Sequence, residues 1–289
     1  NVAIYTMLVD FGSSEMAISV VTAMHFLPAI LIAPFSGAII DRVKIKPLMI
    51  TLLATELLMT ILFLTIDNKN DLWLLMILIF VRMSAASMFF STEMSLLAKL
   101  LRGKPLQMAN EIHSIIWSFT YAAGMAVSGF VVNWYGVKTA FMIDAVIFAI
   151  ALIVFIRIDF VVKASTATDK ILQLVKDGFT YIKNDKIILH LIFLHSSVGL
   201  TSFDALITIL AKNEYKYIIS VPLAIGLSNA VRAVALMFGP LLISKYVTKE
   251  NLHYLMIFQG MAIILWGFMQ NNFYYSLIAL FFVGFSTTP

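Results

Sequence analysis

The sequence predicts an all-α protein that crosses a lipid bilayer many times, and two observations lead to this fold class. First, 61% of the 289 residues are hydrophobic and only 12% are charged, whereas a soluble domain carries about 25% charged residues. Second, the apolar residues form runs of about 20, the length that a helix needs to cross the hydrocarbon core. Lipid must therefore surround most of the chain, and its backbone polar groups must be paired within helices.

Eight complete spans and two partial ones can be placed along the chain. Residues 1–9 are too few to cross a bilayer, so we expect them to be the tail of a first helix. A last span begins near Phe273 and is cut off at Pro289. We therefore expect a fold that is incomplete at both ends, from part of helix 1 to part of helix 10. The complete spans are predicted at residues 16–40, 47–66, 72–98, 106–132, 138–157, 187–211, 219–244 and 251–269.

The longest polar segment follows the sixth span. After Asp169, which can cap a helix, apolar residues recur at helical spacing and predict an amphipathic helix at the membrane surface. Six spans, a linker and a second set of spans are typical of transporters with two repeated halves. We predict a transmembrane half at residues 1–157, a cytoplasmic linker at 158–186 and a second half at 187–289. The apolar residues of the linker helix are Ile171, Leu174, Val175, Phe179 and Ile182.

The positive charges predict the orientation of the spans. Fourteen of the 20 lysines and arginines lie in alternate loops, beginning with the loop that holds Arg42, whereas only four lie in or next to the opposite loops. Because cytoplasmic loops carry the excess of positive charge, this split places the Arg42 loop, the linker and the amino-terminal side in the cytoplasm. The net charge of +4 is thus a topological signal, and no nucleic-acid partner is expected.

The loop after the second span contains Gly37-Ala-Ile-Ile-Asp41-Arg42, followed by Lys44 and Lys46. It resembles the loop between helices 2 and 3 of the major facilitator superfamily, whose pattern is Gly-x-Leu-Ala-Asp-Arg-x-Gly-Arg-Arg. Glycine, aspartate and arginine match, whereas Lys44 replaces the second glycine and Ile45 replaces one basic residue.

Further matches resemble the bacterial drug and siderophore exporter branch of this superfamily, which includes macrolide-efflux-like and enterobactin-exporter-like proteins. The resemblance implies two six-helix halves around a central cavity in the bacterial inner (cytoplasmic) membrane. It also implies proton-coupled efflux of an amphipathic small molecule, drug-like or a siderophore, by alternating access. The matching positions are Arg82, Ala109-Asn110, Gly124, Gly129, Gly136, Thr139-Ala140-Phe141, Asp144-Ala145 and Asp177-Gly178-Phe179-Thr180-Tyr181-Ile182; the proline usual between the two exporter glycines is absent.

The same resemblance implies a gating loop. In the family, the aspartate and arginine of this loop hold the two halves together in one state and release them in the other. The residues that match are Gly37, Asp41 and Arg42, with Lys44 and Lys46 as the following cations. The alternative is a cluster of charges that only fixes the topology of the chain.

Two arginines lie inside predicted spans, where an ionised arginine costs about 2.5–3.5 kcal/mol on insertion scales. Each must therefore face the interior and find a partner. Asp144, at a similar depth, is the candidate partner of Arg82. Asp204 can pair with Arg232, or an anionic substrate can. Structural ion pairs without a role in transport remain the alternative for both.

Three glutamates are candidate proton or substrate sites. Glu56 is in the middle of the third helix, too deep to reach the interface, and a carboxyl group in that environment can exchange protons at physiological pH. Glu93 and Glu111 lie towards the cytoplasmic ends of their spans, where their side chains can instead extend to the interface. Proton antiport needs one such site that binds either the proton or the substrate.

Other classes of protein find little support in the sequence. No phosphate-binding Gly-x-x-x-x-Gly-Lys-Ser/Thr motif occurs, the histidines lack metal-ligand spacing, and there is no cysteine. We therefore expect no enzyme, no cofactor and no metal; a membrane-embedded enzyme or a sensor is the less favoured alternative. A transporter of lysophospholipid or another lipid-like cargo also remains open, because Arg232 with Glu56 would suit a zwitterion. The expected partners are a small-molecule substrate, a coupling proton or other cation, and membrane lipid.

Overall fold

The hydropathy pattern predicts helices joined by short polar turns, and the computed structural model of the chain has this form. It describes residues 1–160, 171–199, 204–243, 246 and 251–287. Within these ranges the regular elements are helices and no strand occurs. The α-helices are α1 (Val2–Asp10), α2 (Glu15–Ile40), α3 (Ile45–Leu62), α4 (Leu72–Leu100), α5 (Lys104–Arg157), α6 (Ile171–Asn184), α7 (Lys186–Gly199), α8 (Asp204–Asn213), α9 (Val221–Ile243), α10 (Leu252–Met269) and α11 (Phe273–Ser286), with 3₁₀ turns at Phe63–Thr65, Lys69–Asp71 and Tyr215–Tyr217.

The helices confirm the predicted all-α membrane fold. Within the described ranges, five helical stretches are long and apolar enough to cross a bilayer, and two further apolar helices are shorter. Many large apolar side chains lie on the outside of these helices, among them Ile30, Phe119 and Phe268. Such surfaces are unfavourable in water and are stable against lipid.

Helix α5 holds two predicted spans in 54 residues. The sequence predicts a turn at residues 133–137, and the structure instead has one non-helical residue there, Gly136, with φ 83° and ψ 169°. A side chain would be strained at this positive φ, and glycine adopts it readily. A single glycine therefore redirects the chain between the two spans without a loop.

Helix α6 forms where the apolar spacing predicts it, whereas Asp169, its predicted cap, lies outside the described residues. Its Phe179 and Tyr181 are exposed. The position of α6 at the membrane surface stays a prediction.

The chain groups into two compact units, which we name after their main helix pairs. The α3–α4 unit comprises Ser19–Gln107 and Phe141–Ser202. Its core is a buried cluster of Ile40, Ile45, Met49 and Met88. Phe155 adds edge-on ring contacts with Phe89 and Phe160.

The α9–α11 unit comprises Asn1–Ile18, Met108–Ala140 and Phe203–Pro289. Glycines let its helices approach closely: a Cβ built at Gly226 of α9 would lie 2.8 Å from the carbonyl oxygen of Met125 and 2.9 Å from Cα of Gly129 in α5. Small residues at such contacts are a main source of helix association in lipid. A buried hydroxyl, Ser276 Oγ, accepts hydrogen bonds from Tyr215 Oη and Trp266 Nε1, each at 2.8 Å, and joins α11 to α10 and the turn before α9.

These units group helices by their packing and do not correspond to the predicted halves at residues 1–157 and 187–289. That division into two six-helix halves with a linker at 158–186 stays a prediction, because the packing of each unit does not test it.

The glycine contact predicts the outcome of one small substitution. Gly226→Ala places a methyl group against backbone atoms that cannot rotate away, so we expect a loss of about 1–3 kcal/mol in stability and a lower melting temperature in detergent. Gly260→Ala in α10 is the control, because, apart from its own stretch of helix, no described atom lies within 4 Å of a Cβ built there. This control should keep or raise the melting temperature, since alanine favours helix more than glycine. Equal melting of the two variants would contradict the close packing of α5 and α9.

Candidate functional site

The α3–α4 unit contains an ion pair between two membrane helices. Arg82 Nη2 of α4 donates to Asp144 Oδ2 of α5 at 2.9 Å, and the side chains are 15% and 38% exposed. The rings of Phe63 and Phe148 lie 5.8 and 5.2 Å from the guanidinium carbon. Aromatic faces at this distance attract a cation, so the arginine is held by one carboxylate and two rings.

Glu56 on α3 is buried, with 7% of its surface exposed. It interacts electrostatically with both Arg82 and Asp144. We call these three residues the Glu56 cluster. With all three groups ionised the cluster carries a net charge of −1, and with Glu56 protonated it is neutral. One proton on the buried Glu56 therefore decides whether the cluster is charged.

The α9–α11 unit contains a second buried pair. Arg232 Nη2 of α9 lies 2.8 Å from Asp204 Oδ1 of α8 and donates to Tyr121 Oη of α5 at 3.0 Å. The charged side chains are 15% and 19% exposed. We call Tyr121, Asp204 and Arg232 the Arg232 cluster. Its third member is a neutral hydroxyl, so this cluster has no net charge.

The Arg232 cluster has aromatic neighbours and lies at a close contact between two helices. Trp117, one helical turn before Tyr121, stacks on the tyrosine ring with centroids 5.4 Å apart and an interplanar angle of 2°. A Cβ at Gly284 would collide with the carbonyl oxygen of Arg232, so α11 approaches α9 closely at this level. The position of Arg232 is therefore fixed by helix packing as well as by its ion pair.

Sequence reasoning named the four charged members of these pairs and missed their neutral neighbours. Tyr121, Trp117, Phe63 and Phe148 belong to a large group of aromatic residues, 13% of the chain. The four-residue spacing of Trp117 and Tyr121, which puts both rings on one helix face, was the available signal. Nothing in the sequence says which aromatic face turns towards an arginine on another helix.

The predicted gating loop forms two ion pairs inside the α3–α4 unit. Asp41 Oδ1 accepts from Lys99 Nζ at 2.9 Å, and Lys46 Nζ donates to Asp159 Oδ1 at 3.0 Å. Asp41 is 48% exposed and Asp159 is 97% exposed. Exposed pairs such as these contribute about 0–1 kcal/mol, so they can break and re-form readily. Gly37, Arg42 and Lys44 are exposed.

The two remaining glutamates lie elsewhere. Glu93 is partly buried, and eleven residues of helix, about 16 Å, separate it from Arg82 along α4. Glu111 is exposed near the start of α5. Among the described residues no group of three or more His, Asp or Glu side chains could hold a metal ion.

The Arg82–Asp144 pair predicts a non-additive response to substitution. In a Glu56→Gln background, Arg82→Gln or Asp144→Asn alone leaves one uncompensated charge in a low-dielectric site, which can cost up to about 3–5 kcal/mol. The double variant should therefore melt at a higher temperature in detergent than either single variant. The exposed pair Asp41–Lys99 is the matched control, where each neutralisation should change stability by about 1 kcal/mol or less. Additive losses at Arg82 and Asp144 would contradict the coupling.

Comparison with known proteins gives the family of the chain. The model of the Major Facilitator Superfamily matches residues 1–288. The uncharacterized MFS-type transporter YfiS of Bacillus subtilis (strain 168) is 26% identical over 182 residues, which cover 61% of this chain and 43% of that protein. The chain thus spans less than half the length of this relative. With the family match along nearly all of its length, the chain belongs to the major facilitator superfamily.

Proposed function

We propose that the chain belongs to a secondary active transporter that exports an amphipathic small molecule in exchange for protons. The observation that carries this proposal is the buried Glu56 beside the Arg82–Asp144 pair. Membership of the major facilitator superfamily supports transport in general, and the relative from Bacillus subtilis is named as a transporter. No enzymatic activity is proposed.

Proton coupling follows from the charge of the Glu56 cluster. A buried site tolerates a neutral state more easily than a charged one, so binding of a proton at Glu56 stabilises the cluster and its loss destabilises it. The helices α3, α4 and α5 contribute one member each, so a change of charge alters the attraction between three helices. Such a change can bias a conformational equilibrium in an alternating-access cycle.

The direction of transport and the cargo rest on the resemblance to the exporter branch. Export from a bacterial cytoplasm across the inner membrane fits the excess of cations in one set of loops, which favours a cytoplasmic amino-terminal side and linker. A drug-like compound or a siderophore is the proposed cargo. A lysophospholipid is the alternative, and it differs from the main proposal in cargo and not in mechanism.

The loop from Gly37 to Lys46 is proposed as a gate that works through breakable ion pairs. The pairs Asp41–Lys99 and Lys46–Asp159 are exposed, and their formation or loss costs little. They join the ends of α2 and α3 to the ends of α4 and α5 within one unit. Small movements of these helix ends are therefore compatible with pairs that open and close during transport.

Substitution of Glu56 tests the proposal. The probes are norfloxacin (an aromatic zwitterionic drug), a catecholate siderophore and a fluorescent lysophosphatidylcholine, each offered to everted membrane vesicles with and without an imposed pH gradient. Wild-type protein should accumulate one of the first two only with the gradient. Glu56→Gln should lose gradient-driven accumulation, because it cannot bind and release a proton, and should retain exchange of that probe across vesicles without a gradient.

The matched control is Glu214→Gln, at an exposed position in the turn after α8, which should behave as wild type. Full gradient-driven accumulation by Glu56→Gln would contradict proton coupling at this residue. Uptake that does not depend on the pH gradient would contradict proton antiport. If the lysophospholipid is the only probe taken up, the cargo is the lipid-like alternative and the proposed drug-like or siderophore cargo is wrong.

A further inference from the structure

The Arg232 cluster is a polar island in an apolar unit, and its polar groups exceed what the ion pair requires. Ser228 and Asn229 lie four and three residues before Arg232 on α9, so they occupy the same side of the helix. Both are buried, with 0% and 4% of their surface exposed. Residues at this depth are usually apolar, so three polar residues within five positions on one side of a helix need a physical reason.

Two of these polar atoms are buried without a hydrogen bond. Ser228 Oγ and Asn229 Oδ1 meet no hydrogen-bonding partner among the described residues. A buried polar atom left without a partner costs about 1–3 kcal/mol, so such atoms usually have a role or a missing partner. Tyr121 Oη accepts from Arg232, so the hydrogen of this hydroxyl points in another direction and can be donated.

The cluster, together with Ser228 and Asn229 on the same side of α9, therefore offers both donors and acceptors. The guanidinium of Arg232 and the hydroxyls of Tyr121 and Ser228 can donate to an oxyanion, whereas the carboxylate of Asp204 and the amide oxygen of Asn229 can accept from an ammonium group. The stacked pair of Trp117 and Tyr121 adds an aromatic surface, of which Trp117 is 50% exposed. A flat ring can stack on such a surface.

The neutrality of the cluster selects among ligands. A ligand with one net charge would leave an uncompensated charge in a low-dielectric site, and this is strongly unfavourable. A zwitterion adds no net charge, because its oxyanion can take the place of Asp204 at Arg232 while its ammonium takes the place of Arg232 at Asp204. The internal ion pair is thereby exchanged for two external pairs of the same kind.

From this geometry we propose that Tyr121, Asp204, Ser228, Asn229 and Arg232 bind the substrate, a small zwitterion that carries an oxyanion, an ammonium group and an aromatic ring. This inference rests on the proposed transport function and names the class of its cargo. It assigns cargo recognition to the α9–α11 unit and leaves the proposed proton site in the α3–α4 unit, in place of the single shared site that the sequence analysis expects.

Three compounds that share the indole ring and differ in their charged groups test the assignment. L-Tryptophan is the zwitterionic probe, indole-3-acetate has the carboxylate alone and tryptamine has the ammonium alone. Binding of each to the purified full chain in detergent is measured by titration calorimetry. Wild-type protein should bind L-tryptophan more tightly than either singly charged compound.

Two variants, each with one member of the ion pair neutralised, should prefer a singly charged compound to L-tryptophan. Arg232→Gln leaves Asp204 as a net negative charge, so it should bind L-tryptophan about thirtyfold more weakly or worse and prefer tryptamine. Asp204→Asn leaves Arg232 as a net positive charge, so it should lose L-tryptophan to a similar extent and prefer indole-3-acetate. Lys216→Gln, on an exposed turn of the same unit, is the control and should bind as wild type. A gain of affinity for the matching singly charged compound cannot result from misfolding.

Other outcomes overturn the proposal. If wild-type protein binds none of the three compounds, or binds a singly charged one most tightly, the zwitterion class is wrong. If the two variants melt at lower temperature and bind no compound in preference, the pair is structural. Binding is measured without vesicles or a gradient. Binding with the predicted preference therefore supports this site even if the vesicle assay fails. Gradient-driven transport of norfloxacin by a protein that lacks this binding preference would support the transport function and overturn the proposed binding site.

Discussion

Lipid cannot solvate an ionised side chain, and this constraint explains most of the polar architecture of the chain. Each intramembrane arginine among the described residues has an aspartate from another helix within 2.9 Å: Asp144 for Arg82 and Asp204 for Arg232. An unpaired charge at this depth would cost several kcal/mol. In each pair the two residues lie on consecutive helices, α4 and α5 or α8 and α9, so each pair also fixes how its helices pack.

The two clusters share this ion pair and differ in their third member. Glu56 in the first can gain or lose a proton, so the net charge of that cluster can change by one. Tyr121 in the second is neutral and donates or accepts hydrogen bonds without a change of charge. This difference is the physical basis for the proposed division between proton handling and cargo recognition, and it depends on the identity of one residue in each cluster.

Much of this arrangement can be predicted from the sequence. The apolar runs predict the helices, and the rarity of charge inside them points to Arg82 and Arg232, whose partners were expected from depth along their spans. The depth of a residue along its span does not show in which direction its side chain points around the helix axis. Tyr121, Ser228 and Asn229 were therefore missed as polar residues near Arg232. The break at Gly136 was expected as a short loop, because sequence patterns do not distinguish a loop from one residue at positive φ.

The close glycine contacts show the same limit. Gly226 and Gly129 meet across two helices, and the sequence offers no means of pairing them because their separation along the chain is large. Packing of this kind is decided by side-chain volumes in three dimensions. Local sequence patterns thus decide where helices form. Which helices touch, and which neutral residues join each cluster, depends on how the whole unit packs.

The measurement that most directly tests whether lipid surrounds this bundle is labelling of single cysteines, which the absence of native cysteine makes simple. Cysteine is placed at Val43 after α2, at Asn70 before α4 and at Ile77 on the exposed apolar side of α4. A membrane-impermeant maleimide added to intact cells should label position 70, should label position 43 only after the membrane is opened, and should not label position 77 in either case. Labelling of position 77 in the bilayer, or labelling of positions 43 and 70 from the same side, would contradict the account.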